Sequence, residues 1–211
     1  MSMFGKSNRV KAEEIVIGHL EEKYGESFSA AGTYGEGTST VEMYVTCESL
    51  PGVKIHVYAD NWKKSDRTIR DNYLMYKHWD EIQAYIQEQV TKEFKNAIIH
   101  AEIVNQTLSA QISADATLEQ ILHDEGALLH VRIDVSESDF MNIDQAKRII
   151  AQIQKDVTEY NILFVSVNAD EFGQLSSQDL VNRYNNGEIV RGAYFYRYNG
   201  NAHESWKEAE E

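Results

Sequence analysis

Imidazole nitrogens and carboxylate oxygens bind metals and move protons, so the histidines and acids come first. His100 and Glu102 alternate onto one side of a strand-like segment, as His130, Arg132 and Asp134 do on another. If the two segments are neighbours in one sheet, His100, Glu102, His130 and Asp134 converge as nitrogen and oxygen ligands. No His-x-x-x-His pair or similar spacing accompanies them. Alternating polar residues are also what any half-exposed strand displays. The expectation is therefore no metal and no cofactor, with these four the residues a metal would use. His78-Trp79-Asp80-Glu81 and His123-Asp124-Glu125 read as the start and the end of helices, where acids and imidazoles meet backbone needs. The 34 acids single out no carboxylate pair. No Gly-x-Ser-x-Gly elbow is present. The glycines at 32, 35 and 37 lack the Lys-Ser/Thr ending of a phosphate loop and read as a flexible connection. Cys47 is the single cysteine, which excludes an internal disulfide and a cysteine zinc site. Its neighbours Val45, Thr46 and Glu48 offer neither a base nor a positive setting, so it is expected as a small buried strand residue. The expectation is a protein that is not an enzyme.

Two stretches suit contact better than chemistry. The chain has 20 Lys and Arg against 34 Asp and Glu, a net charge of −14, which argues against a nucleic-acid grip and is compatible with a basic protein partner. Between Lys54 and Lys77 the balance reverses, with six cations against three anions. There Trp62, Lys63, Lys64, Arg67, Arg70, Tyr73 and Tyr76 mix aromatic rings with positive charge. That mixture suits an acidic partner, a polyanionic wall polymer or an anionic membrane surface, although a solvated hairpin end looks similar. Near the C-terminus Tyr194, Tyr196 and Tyr198 fall on one face of a strand. They form either an interface or a layer packed beneath a helix.

The elements that must position these residues follow from periodicity. Ala12, Ile15, Val16, His19, Leu20 and Tyr24 recur at helical spacing and Gly25 stops the helix. Val41, Met43, Val45 and Cys47 alternate with polar residues, as do Val53, Ile55, Val57 and Ala59, and Leu50-Pro51-Gly52 turns between them. Trp79, Ile82, Ile86, Val90 and Phe94 form the apolar stripe of a second long helix, with a short strand expected near Tyr73 to Tyr76. The second half predicts strands at 97–104, 128–135, 161–168 and 189–198. Capping boxes at Thr117–Gln120 and Asn142–Gln145 start two helices between them. A third helix spans Ser177 to Tyr184, and the tail from Asn199 reads as frayed. The fold class is α+β: an N-terminal α-β-β-α unit over 1–96, then a β-α-β-α-β-α-β unit over 97–211. No Gly/Pro/Ser linker marks residue 96, so one continuous fold is the alternative.

Glu21-Glu22-Lys23-Tyr24-Gly25-Glu26-Ser27-Phe28, the glycine-containing loop, the Pro-Gly hairpin and Asp71-Asn72-Tyr73-Leu74 resemble uncharacterised exported proteins and lipoproteins of Firmicutes. The Leu163-Phe164-Val165-Ser166-Val167 strand and the ending from Asn182 to Tyr198 are similar to that group as well. The resemblance implies a Gram-positive cell-envelope context and brings no catalytic residues. Members begin with a signal or a lipid-attachment cysteine, whereas Met1 to Arg9 is short and polar. The expected location is therefore the cell envelope or exterior if a signal precedes this chain, and the cytoplasm otherwise. No run approaches the ~18 apolar residues of a membrane helix.

The leading expectation is a non-enzymatic, envelope-associated protein that binds another protein or a wall component. The alternative is a cytosolic acidic immunity or inhibitor protein that neutralises a basic partner. A third is a metal-dependent enzyme built on the strand histidines. No pattern specifies an oligomeric state.

Overall fold

In the computed structural model, residues 7–34, 39–104 and 106–208 are described. The fold is α+β, in two units that each hold one sheet. The first comprises Met1–His78 with Asn105–Gly126, and the second Trp79–Val104 with Ala127–Glu211.

The first unit begins with α1 (Asn8–Tyr24). The Ser7 hydroxyl accepts from the Val10 amide at its start, and Gly25 closes it in the left-handed region (φ 69°) that a side chain would resist. Ala12, Val16 and Leu20 form its buried stripe. Four antiparallel strands follow in sheet order: β1 (Phe28–Tyr34), β2 (Thr40–Cys47), β3 (Ile55–Asp60) and β4 (Thr68–Asp71). The predicted hairpin is β2–β3, with Val45 opposite Ile55 and Val41 opposite Ala59. Its inner residues Val41, Met43, Val45, Ile55, Val57 and Ala59 are all fully buried.

Four expectations for this unit need correction. Two further strands flank the hairpin. Gly32 sits inside β1, beside an irregularity between Ala30 and Gly32, so it is not part of a loop; Gly35 and Gly37 lie outside the described residues. The short strand is at Thr68–Asp71, while Tyr73–Lys77 is a helical turn, α2. Cys47 is only half-buried, with Sγ 3.4 Å from the Ser49 hydroxyl.

The second unit opens with α3 (Trp79–Thr91), which buries Ile82, Ile86 and Val90. Phe94 follows it into the core, 5.3 Å from the Phe140 ring and 6.0 Å from Phe164. That aromatic packing groups α3 with the second sheet, whereas the sequence places this helix with the first unit. After β5 (Ala97–Glu102) the chain returns to the first unit. There α4 (Leu118–Leu122) starts at the expected Thr117–Gln120 capping box. The Leu108 amide bonds the Asp71 carbonyl at 2.9 Å, and Asp124 accepts from the amides of Ser109 and Gly126, each at 2.8 Å.

The rest of the second unit is β6 (Leu128–Ser136), α5 (Ile143–Asp156), β7 (Glu159–Val167), α6 (Ser177–Asn186), β8 (Arg191–Tyr198) and β9 (Asn201–Glu208). From β5 to β8 this is the expected alternation of strand and helix. The strands lie side by side in chain order, and only β6 and β7 are parallel, as a crossover through α5 permits. The tail is a paired strand and not a frayed end: β9 runs antiparallel to β8, with Ala193 opposite Trp206 and Tyr198 opposite Asn201. The second unit's α3 and α5 cover the sheet face that carries Phe164. On the opposite face, α6 packs Leu180 and Tyr184 against Leu163, Val165 and Val167.

Candidate functional site

Strand register decides which candidates meet. β5 and β6 are neighbours, with Glu102 opposite His130, His100 opposite Arg132 and Ile98 opposite Asp134. The same face continues across the sheet. Asn161 stands beside His130, Tyr196 beside Asn161 and His203 beside Tyr196. One row thus crosses all five strands as Glu102, His130, Asn161, Tyr196 and His203. At the usual strand spacing it is about 19 Å long.

The α6 helix lies over the Leu163 and Val165 end of this face, two to four residues along the strands from the row. Glu102 and His203 are exposed, and His130, Asn161 and Tyr196 half-buried. The Tyr198 ring adjoins Tyr196, with centroids 6.2 Å apart. Tyr194 packs with the cluster under α6, and its ring lies 6.2 Å from that of His203, tilted by 52°. The sequence pointed to the tyrosines and, separately, to Glu102 and His130; the register joins them. Asn161 and His203 were missed, because only cross-strand pairing distinguishes them from other polar strand residues.

The chemistry of the row is hydrogen bonding beside aromatic rings. Burial and the neighbouring Arg132 hold the His130 imidazole below its ordinary pKa, so at neutral pH it carries one N–H donor and one acceptor nitrogen. Asn161 and Tyr196 each add a donor and an acceptor, and Glu102 adds acceptors. For a metal, the set is compromised by Arg132, whose guanidinium lies 3.1 Å from the Glu102 carboxylate. Asp134 is wholly buried and accepts from the Gly173 amide at 3.2 Å. Burial raises its pKa. Among the described residues no three His, Cys, Asp or Glu side chains cluster as metal ligands.

The basic stretch is less open than its composition suggests. Trp62 is 2% and Tyr73 1% exposed, so both rings belong to the core and not to a contact surface. Such rings remove large apolar areas from water, which favours burial wherever a pocket exists. Tyr73 packs between Tyr24 and Phe28 and donates its hydroxyl to Glu26. Burial first, and that bond second, push its phenol up to about 12. Tyr76 is half-buried. Arg70 lies 3.6 Å from Asp60 and 4.9 Å from the Tyr58 ring. Lys63, Lys64 and Arg67 remain exposed.

Other chemically able groups are committed to structure. The Asp71 carboxylate accepts from the Tyr24 hydroxyl, Lys23 and the Tyr73 amide. His56 is held by Glu42 at 2.7 Å, and its amide donates to Asn72. Arg183 grips Glu171 with two bonds of 2.6 Å.

No protein-family model matches this chain, and no curated protein matches it. Among solved structures it is similar to a DUF5037 family protein from Ruminococcus gnavus ATCC 29149, with 11% sequence identity and a TM-score of 0.38. The match covers 89% of this chain and 92% of that one.

Proposed function

We propose that this chain is a non-catalytic binding protein of the Gram-positive cell envelope that takes a hydroxyl-rich wall component on the row from Glu102 to His203. The observation that carries this reading is the row itself. Five side chains able to donate or accept hydrogen bonds stand in register across one sheet face, with the Tyr196 and Tyr198 rings beside them. A ligand with many hydroxyls satisfies such a surface repeatedly, and its apolar faces stack on the rings. A rigid sheet holds the groups at fixed spacing, which lowers the ordering cost of binding. The envelope setting is supported by the sequence resemblance alone. Among the described residues no helix is long and apolar enough to cross a membrane.

The test is co-sedimentation with purified Gram-positive cell walls, using the wild type and the variants Asn161→Ala and Tyr196→Ala. Their thermal unfolding is recorded alongside. The reading expects wild-type binding and a loss of about ten-fold in each folded variant, the scale of removing one central contact. Equal sedimentation of all three proteins, or of none, sinks it. Capture of a basic protein that high salt releases supports instead the inhibitor reading of the −14 chain.

A further inference from the structure

Asp134 is 0% exposed, and its carboxyl is poorly served for a buried acid. An ionised carboxylate offers about four lone-pair sites to donors. Here one oxygen accepts from the Gly173 amide at 3.2 Å, while the other is sealed from solvent and finds no donor among the described residues. Asp71, the buried acid of the first unit, differs: the Tyr24 hydroxyl, Lys23 and the Tyr73 amide converge on it. Taking a charge out of water without such partners disfavours the ionised form. Asp134 therefore keeps its proton to higher pH than an acid in water does.

The Gly173 amide belongs to the connection from β7 to α6, residues 168–176. A Cβ on Gly173 would meet Ile98 Cδ1 at 2.7 Å, and its φ of 75° suits glycine. The segment thus lies directly on β5 and β6, where Ile98 stands opposite Asp134. Its flanks are fixed elsewhere. The Asn168 side chain bonds Glu171, which Arg183 of α6 grips, and Leu175 packs on the α6 cluster. The middle meets the sheet through the Asp134 carboxyl and the Ile98 contact.

The surrounding charges do not relieve the carboxyl. His100 on β5 draws it toward ionisation, less strongly than burial opposes that. On β6 the Arg132 guanidinium is engaged with Glu102 at 3.1 Å. β7 places Val165 in register with Asp134, between Leu163 and Val167. In the segment itself, Glu171 is occupied by Arg183 and Asp170 is exposed. On α6, Asp179 is engaged with Ser176.

We infer that Asp134 and Gly173 form a pH-operated latch: with the carboxyl protonated, residues 168–176 stay closed on β5 and β6, and ionisation favours an opened form in which the carboxylate reaches water. Linkage fixes the direction. Because the pKa is raised in the closed form, that form has its full advantage below the ordinary aspartate value. The advantage is lost as pH rises through the closed-form value. Between the two, opening should grow by up to about ten-fold per pH unit, and then level off. Opening uncovers Ile98 and Asp134 on the face that carries the Glu102–His203 row, so that face widens toward neutral pH. The latch does not depend on what the row binds.

Two measurements on the full chain test it. The Asp134 carboxyl, followed by ¹³C NMR and assigned through its bonds to the backbone, needs no variant and should titrate above the ordinary aspartate value. Amide exchange at Gly173, divided by the intrinsic rate at each pH, should report opening that climbs with pH in the wild type. In Asp134→Asn, neutral throughout, the same ratio should be flat and several-fold lower at neutral pH. His100→Gln should keep the climb. A carboxyl that titrates at or below the ordinary value overturns the latch. So does one pH profile shared by the wild type and Asp134→Asn, or a climb that His100→Gln abolishes.

Discussion

The Tyr24 hydroxyl donates to one oxygen of Asp71 at 2.8 Å, while Lys23 reaches the other at 3.3 Å. Asp71 is 1% exposed, so the end of α1 supplies the donors that let a carboxylate sit inside the first unit. Burial and the Asp71 charge push the Tyr24 phenol far above its ordinary range, which keeps it protonated and donating. Tyr24→Phe removes the donor and leaves the carboxylate in place. Urea unfolding should register a loss of about 1–3 kcal/mol, the cost of taking one donor from a buried carboxylate whose Oδ1 keeps only the Tyr73 amide. A loss within a few tenths would mean that Lys23 and the Tyr73 amide hold the carboxylate without the hydroxyl.

The second unit rests on aromatic contact. Phe140 is fully buried, within 5.3 Å of Phe94, 6.3 Å of Phe164 and 5.4 Å of Trp206. Phe140→Ala should cost about 3–5 kcal/mol in chemical unfolding, and Phe140→Leu much less because most of the volume survives. Equal costs for the two would point to backbone strain at this position.

A defined acid limb is expected at Glu93. Arg148 bonds both of its oxygens at 2.8 Å and holds its pKa below the usual carboxylate value. A depressed folded pKa means that the pair stabilises the protein above the unfolded value. That contribution is lost as pH falls through the folded value. Glu93→Gln should therefore cost up to about 1 kcal/mol at pH 7. The difference between variant and wild type should shrink to nothing in acid. Urea midpoints measured from neutral pH downward check it; a difference independent of pH assigns the effect to packing.

Gly126 tests the returning segment. A Cβ there would lie 2.9 Å from Leu108 Cα and 2.9 Å from the Thr107 carbonyl carbon, both backbone atoms. Backbone cannot yield as a flexible side chain does, so Gly126→Ala should destabilise by about 1–3 kcal/mol or more. Hydrogen exchange should localise the loss to 106–126. Wild-type exchange in that segment would show that the close approach relaxes at no cost.

The metal reading has its own check. Zinc or manganese added to protein without a histidine tag should leave Tm unchanged, because Arg132 is already paired with Glu102. A rise in Tm that His130→Gln abolishes would restore the strand histidines as ligands.

What the sequence made legible was local. Thr117 with Gln120, and Asn142 with Gln145, satisfy helix-end amides within four residues, and both capping boxes form as expected. The apolar alternation from Val41 to Val45 and from Ile55 to Ala59 meets across the connection between Cys47 and Ile55, close in sequence. Elements stabilised from outside were the ones missed. In β1 the Ser-Ala-Ala-Gly run has little strand character of its own, and β9 is polar throughout except for Ala202 and Trp206. Each is a strand because β2 or β8 offers it a ladder. The binding row was illegible for the same reason. No spacing within one segment reveals that His130, Asn161, Tyr196 and His203 share a line; the register of four strands puts them there.

The excursion of residues 105–126 has a consequence for how the protein is made. The first unit is discontinuous, because β5 and the whole of α3 are synthesised between its two parts. When the ribosome has released α2, the Asp71 carbonyl still lacks the Leu108 amide, and Leu108, Ile121 and Leu122 do not yet exist to be buried. The N-terminal sheet therefore waits for about fifty further residues before its core is complete, several seconds at ordinary elongation rates. A gene truncated after His78 encodes all four strands of that sheet and should still give an unfinished, aggregation-prone product, whereas one ending just past Gly126 holds every residue of the first unit.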